Sequence, residues 1–347
     1  MKGRQIILGQ FGGREAAVMM VDGRIDELEI DPGELVPFAP GAILRGRVNR
    51  LMKGQGGVFV TLPDGQSGYL RARSGLAEGQ SVLVQVSGVA EPGKAIPLSS
   101  KLLIRGRFAI VTPGRPGANI SRAIRDADRR NALQALGDDA LQGRDSGAIL
   151  RSAAEHADDA EIAEELTSSI AIADAISADI NGAPELLLDA PEPSETAWRD
   201  WADPPPDAVE EYDDVLPDDV LDAINALSDP RFSLPGGAFA VIEPTRALVS
   251  VDVNTGPDAS PAASLKANIA AARDLPRQLR LRGLGGQVVV DFAPIPKRDR
   301  GTLEQELKKA FRSDGPDTVL SGWTTMGLYE LSRKRDRIPL SLFMGDS

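Results

Sequence analysis

The stretch 234-LPGGAFAVIEPTRALVSVDVNTG-256 decides the architecture of the second half of the chain. Its apolar residues fall in two strand-length runs separated by a turn signal, so it reads as a β-hairpin turning at Glu243-Pro244-Thr245. An α/β pattern follows. A helix is expected over about 262–282, with a kink at Pro276. After it come the strand GGQVVVDF (285–292), a helix near 301–312, the strand DTVLSG (317–322) and a helix near 326–335.

Asp252 closes the apolar run LVSVDVN and Asp291 closes QVVVDF. A carboxylate at the C-terminal end of a strand sits at the rim of a sheet, where open α/β sheets place ligands. Two such strands side by side bring both carboxylates within reach of one hard cation. Mg²⁺ binds through one or two carboxylates plus water and phosphate oxygens, and it polarises a phosphoryl group and helps to generate hydroxide. Asn254, two residues beyond Asp252, shares its face in an extended chain and is placed to orient a carboxylate or a phosphate. The alternative for either aspartate alone is a turn-closing role, which Asp favours.

Composition narrows the metal. With no cysteine and a single histidine, His156, disulfide scaffolds, thiolate zinc sites and multi-histidine centres are excluded. Oxygen ligands remain, which favours Mg²⁺ or Mn²⁺. His156, alone in an acidic loop, reads as a surface residue rather than a general base. The N-terminal MKGRQIILGQFGGRE carries no apolar core or cleavage site of a signal peptide, and no run approaches the roughly 18–20 apolar residues of a membrane span. No membrane partner and a cytoplasmic location are expected.

The net charge of −12 argues at first against a nucleic-acid partner. Residues 155–230, however, hold 23 Asp and Glu against one basic residue, Arg199, so this block carries −22 and the remainder +10. Local charge decides where a polyanion sits. Near the aspartates lie Arg277, Arg280 and Arg282, then Lys297, Arg298 and Arg300, then Arg333, Lys334, Arg335 and Arg337. Such clusters hold phosphate backbones; the alternative is solvated helix faces.

Upstream, residues 1–36 alternate like a small antiparallel sheet, and residues 37–100 form short strands with turns about every ten residues, as in an OB-type barrel. Phe59 and Tyr69 fall on successive barrel strands, with Lys53, Arg71, Arg73 and Lys94 nearby, a pattern that stacks bases and holds phosphates unless the rings are core. Residues 101–154 mix strands (RFAIVTP, GAILRSA) with a helix over about 122–137, and 158–180 is helical. The acidic, proline-rich 189–218 reads as loop-dominated, with one short helix near Trp198 and Trp201.

The blocks GGAFAVIEPTRALVSVDVNTG, QLRLRGLGGQVVVDF (278–292) and SGWTTMGLYELSRKR (321–335) closely resemble the ribonuclease E/G family, and ISRAIRDADRR (120–130) resembles it more weakly. The resemblance implies an α+β, multi-subdomain endoribonuclease. Residues 1–36 and 190–231 would form a degenerate ribonuclease-H-like subdomain, 37–100 an OB-fold RNA-binding domain and 101–189 a 5′-sensor-like region. Residues 232–347 would form a deoxyribonuclease-I-like α/β catalytic subdomain. It further implies that Asp252 and Asp291 bind Mg²⁺ with Asn254 beside them, and that Phe59 and Tyr69 stack on RNA; the charge pattern adds Lys94, Lys297 and Arg298 as expected RNA contacts. The reaction implied is hydrolysis of single-stranded RNA to 5′-phosphate and 3′-hydroxyl ends.

Arg151 and Ser152 match the family's 5′-phosphate contacts, usually Arg-Thr, but the glycine-rich stretch that normally follows is here the acidic AEHADD. The family joins subunits through zinc on a Cys-x-x-Cys motif, followed by a small C-terminal domain. Without cysteine, and with the sequence ending at Ser347, no zinc link is expected and any oligomer uses another surface. The competing readings are an RNA-binding or regulatory protein of the same fold with weak or no activity, and a scaffold that docks partners through its acidic block.

Overall fold

A computed structural model describes residues 3–52, 56–71, 75–315 and 317–345. Lys53 and Arg73, two of the cations expected beside the barrel aromatics, lie outside the described residues. The chain opens with an antiparallel meander, β1 (Arg4–Phe11), β2 (Arg14–Val21) and β3 (Arg24–Ile30). Gly12 and Gly13 join β1 to β2 with φ of 58° and 76°, the left-handed pair that a two-residue hairpin turn needs.

The next five strands are β4 (Ile43–Met52), β5 (Gly57–Thr61), β6 (Ser67–Leu70), β7 (Ser81–Val86) and β8 (Ile96–Ser99). They pair in the cycle β4–β5–β6–β8–β7–β4 and close an OB-like barrel, as the turn spacing predicts. Its interior is filled by residues such as Leu44, Val58, Val60, Leu70, Val84 and Leu98. These alternate with outward-facing neighbours because the strand period is two.

A second small sheet, β9 (Ile104–Arg105), β10 (Ala109–Thr112), β11 (Gly117–Ile120) and β12 (Gly147–Leu150), is covered by α1 (Ala127–Ala140) and α2 (Asp159–Ala178). Asp158 caps α2 by accepting from the Ala160 amide at 2.8 Å, and Ile162, Leu166, Ile170 and Ala173 form its buried stripe.

The acidic block then weaves back through the earlier sheets. β13 (Glu185–Leu188) adds antiparallel to barrel strand β4. Here the buried Arg45 of β4 donates to Asp179 at 2.6 Å and pairs with Glu185. After α3 (Pro193–Thr196), which continues as a wider turn through Trp201, β14 (Ala208–Val215) pairs in parallel with β1. The loop-dominated segment expected at 189–218 therefore contains a strand. β14 reads AVEEYDDV and exposes nearly all its side chains, so it has no apolar alternation; backbone pairing with β1 holds it. α4 (Asp218–Asn225) buries Val220 and Ile224 against the first sheet.

The C-terminal sheet comprises β15 (Arg231–Ser233), β16 (Phe239–Pro244), β17 (Val249–Asn254), β18 (Gly286–Asp291), β19 (Thr318–Trp323) and β20 (Tyr329–Arg333), in the order β15-β16-β17-β18-β20-β19. Its helices are α5 (Pro261–Leu281), which runs through Pro276, and α6 (Arg300–Ser313). The β16–β17 turn spans Thr245–Leu248 rather than 243–245: Pro244 still pairs with Val249, and Thr245 closes the turn on Leu248 at 2.8 Å.

The helix expected near 326–335 is strand β20. Tyr329, Leu331 and Arg333 are buried while Glu330 and Ser332 are exposed, and this period of two outweighs the basic run that resembles a helix C-terminus. Leu303, Leu307 and Phe311 of α6 and the alanine-rich face of α5 pack on the valines of β17 and β18. Each such large side chain contributes roughly 1.5–3 kcal/mol. Among the described residues, no helix is long and apolar enough to cross a membrane.

Candidate active site

β17 and β18 are neighbours and parallel, and Asp252 and Asp291 are register partners. Adjacent strands lie about 4.8 Å apart, so the two Cα atoms are separated by about one strand spacing. Alternation aims both side chains away from the core: Val251, Val253, Val288 and Val290 are buried, while both aspartates are exposed. Asp291 ends β18, but Asp252 lies two residues short of the end of β17, because Val253 and Asn254 go on pairing with Ala240 and Phe239. Asn254, on the same face, donates its Nδ2 to Asp252 Oδ2 at 2.8 Å.

Three features fix the ends of these strands. Beyond β17, Gly256 has φ of 74° and lies so close to Gly237 that a Cβ would meet its carbonyl oxygen at 2.3 Å, so glycine is required there. Beyond β18, the fully buried Asn268 of α5 grips Ala293, donating to its carbonyl at 2.8 Å and accepting from its amide at 2.9 Å. Phe292, directly after Asp291, packs with Trp323 and Tyr329 at ring separations of 5.8 and 6.3 Å. Sequence reading missed Asn268; the available signal was a polar residue on the apolar stripe of a helix.

The cations divide into two groups. Lys297 and Arg298, in the turn that follows β18, are exposed, with Arg298 only 3.8 Å from Asp299. Most of the others serve the fold, against the phosphate-binding expectation. Arg277 bonds Asp274 and the Ile25 carbonyl. Arg280 pairs with Glu27 at 2.8 Å and with Asp314, which also pairs with Arg333; the Asp314 and Arg333 side chains are each 1% exposed. Arg282 is buried against Gln278 and the carbonyls of Leu227 and Asp229, and burial pushes it down to about 10 despite the pull of Asp229. Arg335 pairs with Glu91, and Arg337 with Glu27 and Glu29. Most of these contacts reach charges and carbonyls far away in sequence, which no local pattern displays.

On the barrel, Phe59 and Tyr69 are register partners on β5 and β6, with rings edge to face at 5.7 Å. Both are half-buried and point outward, between inward-facing Val58 and Val60 and between Gly68 and Leu70. They are not core residues. Tyr69 lies across Gly57, where any Cβ would collide with the ring. Lys94, on an exposed turn, bonds Glu91 at 2.7 Å. This hydrogen bond is the main cause holding the Glu91 carboxyl below its usual value.

Arg151 follows β12, and its guanidinium is engaged internally. It donates to the Gly106 carbonyl at 2.7 Å and to Asp200 at 2.6 Å. Burial alone raises the Asp200 carboxyl, but hydrogen bonds and charge from Arg199 and Arg151 outweigh it and hold the group low. Ser152 and His156 are exposed. A cleft of about 820 Å³ opens beside this cluster, lined in part by Arg105, Arg107, Trp198 and Arg199; neither Asp252 nor Asp291 lines it.

The ribonuclease E/G family model matches residues 103–211 and 217–336, well over half of the chain and both aspartate strands. The chain belongs to the ribonuclease E/G family. Ribonuclease E of Nostoc sp. (strain PCC 7120) is 27% identical over 405 residues, covering 99% of the chain and 57% of that protein. Ribonuclease E of Escherichia coli K12 is 27% identical over 412 residues, covering 99% and 38%. Ribonuclease G of E. coli K12 is 24% identical over 384 residues, covering 93% and 78%. The chain thus spans about half or less of the ribonuclease E relatives it matches. Membership in the ribonuclease E/G family agrees with the resemblance carried by the blocks around Asp252, Asp291 and Tyr329.

Proposed function

We propose that this protein is an endoribonuclease that hydrolyses single-stranded RNA at the Asp252–Asp291 pair, leaving 5′-phosphate and 3′-hydroxyl ends. The observation that carries the reading is the register of the two exposed carboxylates on adjacent parallel strands. Two hard oxygen donors about one strand spacing apart fit Mg²⁺, and Mn²⁺ by the same chemistry. Among the described residues no group of three or more His, Cys, Asp or Glu converges, so Asp252 and Asp291 would hold the ion with water and phosphate oxygens completing its shell. Once bound, it would supply Lewis-acid activation of the scissile phosphate and of the attacking water.

The chain's own residues supply the rest. Asn254 fixes the Asp252 carboxylate through its 2.8 Å bond, and Asn268 anchors the segment that leaves Asp291. Lys297 and Arg298 would hold the RNA backbone, while Phe59 and Tyr69 would stack bases on the barrel. The exposure of both aspartates favours catalysis over the binding-only alternative. Cleavage of single-stranded RNA in Mg²⁺ is expected in the parent protein and lost in Asp252→Asn and in Asp291→Asn. Undiminished cleavage in both variants would refute the assignment.

A further inference from the structure

The face of the C-terminal sheet that bears the aspartates carries a second, unassigned feature. Arg231 of β15 is the register partner of Val241, which is in turn the register partner of Asp252. Register partners project to the same face, so Arg231 stands in line with Asp252, two strand spacings or roughly 10 Å away. Its neighbour on that face is Phe239, the register partner of Asn254. The Arg231 guanidinium carbon lies 3.8 Å from the centre of the Phe239 ring. Arg231 is exposed and Phe239 half-buried.

This arrangement differs from that of three arginines on the sheet's flanks. Arg280, Arg333 and Arg337 are each consumed by carboxylates. The Arg231 guanidinium instead packs on an aromatic face. A ring orients the guanidinium without neutralising it and leaves its edge N–H donors for an anion. The aspartate pair attracts a cation, so an RNA phosphate drawn to that cation would place its neighbouring phosphates along the same open face.

We propose that Arg231, held over Phe239, is a substrate-positioning residue that binds a backbone phosphate flanking the one at Asp252 and Asp291. The proposal rests on the ribonuclease reading of that pair and deepens it. A site of this kind is sequence-independent, because it reads charge rather than base edges.

The test measures binding apart from cleavage. Affinity for a fluorescent single-stranded oligoribonucleotide is followed against salt in EDTA, for the parent protein and for Arg231→Gln, Arg231→Lys and Phe239→Leu, with thermal melting as the folding control. Arg231→Gln should weaken binding to all sequences alike and reduce the magnitude of the log–log salt slope by about one. Arg231→Lys should keep the slope while losing part of the affinity. Phe239→Leu should weaken binding with the slope retained. In Mg²⁺, Arg231→Gln should raise KM more than it lowers kcat. A slope unchanged in Arg231→Gln, with the parent still cleaving RNA, overturns this proposal and leaves the ribonuclease reading standing. A reduced slope in Arg231→Gln, with a parent protein that binds RNA but does not cleave it, supports the phosphate contact and refutes the cleavage reading. No RNA affinity in the parent overturns both.

Discussion

The guanidinium of Arg151 holds the carboxylate of Asp200 at 2.6 Å. The residue that matches a 5′-phosphate contact by resemblance thus already grips an internal anion, supplied by the acidic block. Two consequences follow for Asp200→Asn. First, Arg151 loses its competitor, so cleavage of 5′-monophosphorylated over 5′-hydroxylated RNA should rise relative to the parent in paired rate assays. Second, stability should fall by about 1.5–3 kcal/mol, the range for hydrogen bonds to charged groups. The Asp200 carboxyl is held below its unfolded value of about 3.9, so its contribution is present above that pH and is lost as pH falls through the lower folded value. Asp200→Asn should therefore flatten the decline of Tm below about pH 4.

Asp314 joins Arg280 and Arg333 in the interior. Asp314→Ala leaves a buried Arg333 without its partner and should cost roughly 3–5 kcal/mol in a denaturant titration. Arg333→Ala should also destabilise. Because Arg333 is 1% exposed, its loss should leave the salt dependence of RNA binding unchanged. A changed salt slope would return Arg333 to the substrate.

Asn268 offers a separation of fold from chemistry. Asn268→Ala unpairs the amide and carbonyl of Ala293, at a cost of about 1–3 kcal/mol for each buried group left unsatisfied. The segment leaving Asp291 then loses its anchor. Steady-state kinetics should show kcat falling while KM for RNA changes little, and Asn268→Asp should not restore it, because a carboxylate cannot donate to the Ala293 carbonyl.

Much of this organisation is legible in the sequence, and the exceptions have physical causes. The barrel was readable because its strands alternate and its turns carry Gly and Pro; α2 was readable from its stripe of Ile and Leu. β14 was not, since an exposed acidic strand is held by its backbone partner rather than by apolar side chains. β20 is hard to read because Arg333, though charged, is buried and is followed by Lys334 and Arg335, a basic run that equally suits a helix end. The alignment of Asp252 with Asp291 depends on strand order. The strand ends suggested the pair, but only the β17–β18 pairing sets one residue opposite the other.

On the barrel, Phe59→Ala and Tyr69→Ala should each weaken binding of single-stranded RNA by about 1–3 kcal/mol, the range for one stacked base. Their salt slopes should match the parent, since no charge is removed. Fluorescence anisotropy at several salt concentrations reads both quantities. An effect on melting with none on affinity would assign the rings to packing alone.

The second partner of β1 lies some two hundred residues downstream, at Ala208–Val215, and the barrel sheet likewise takes its sixth strand from Glu185–Leu188. A chain emerging from the ribosome can build the first meander early, but the outer edge of β1 has no mate until that later segment has been made. Until then the edge is open to pairing with foreign strands, and closing so long a loop slows folding. Once it arrives, β14 becomes the edge of that sheet, and its Glu210, Glu211, Asp213 and Asp214 repel the same edge on another copy, so completed sheets are discouraged from joining edge to edge.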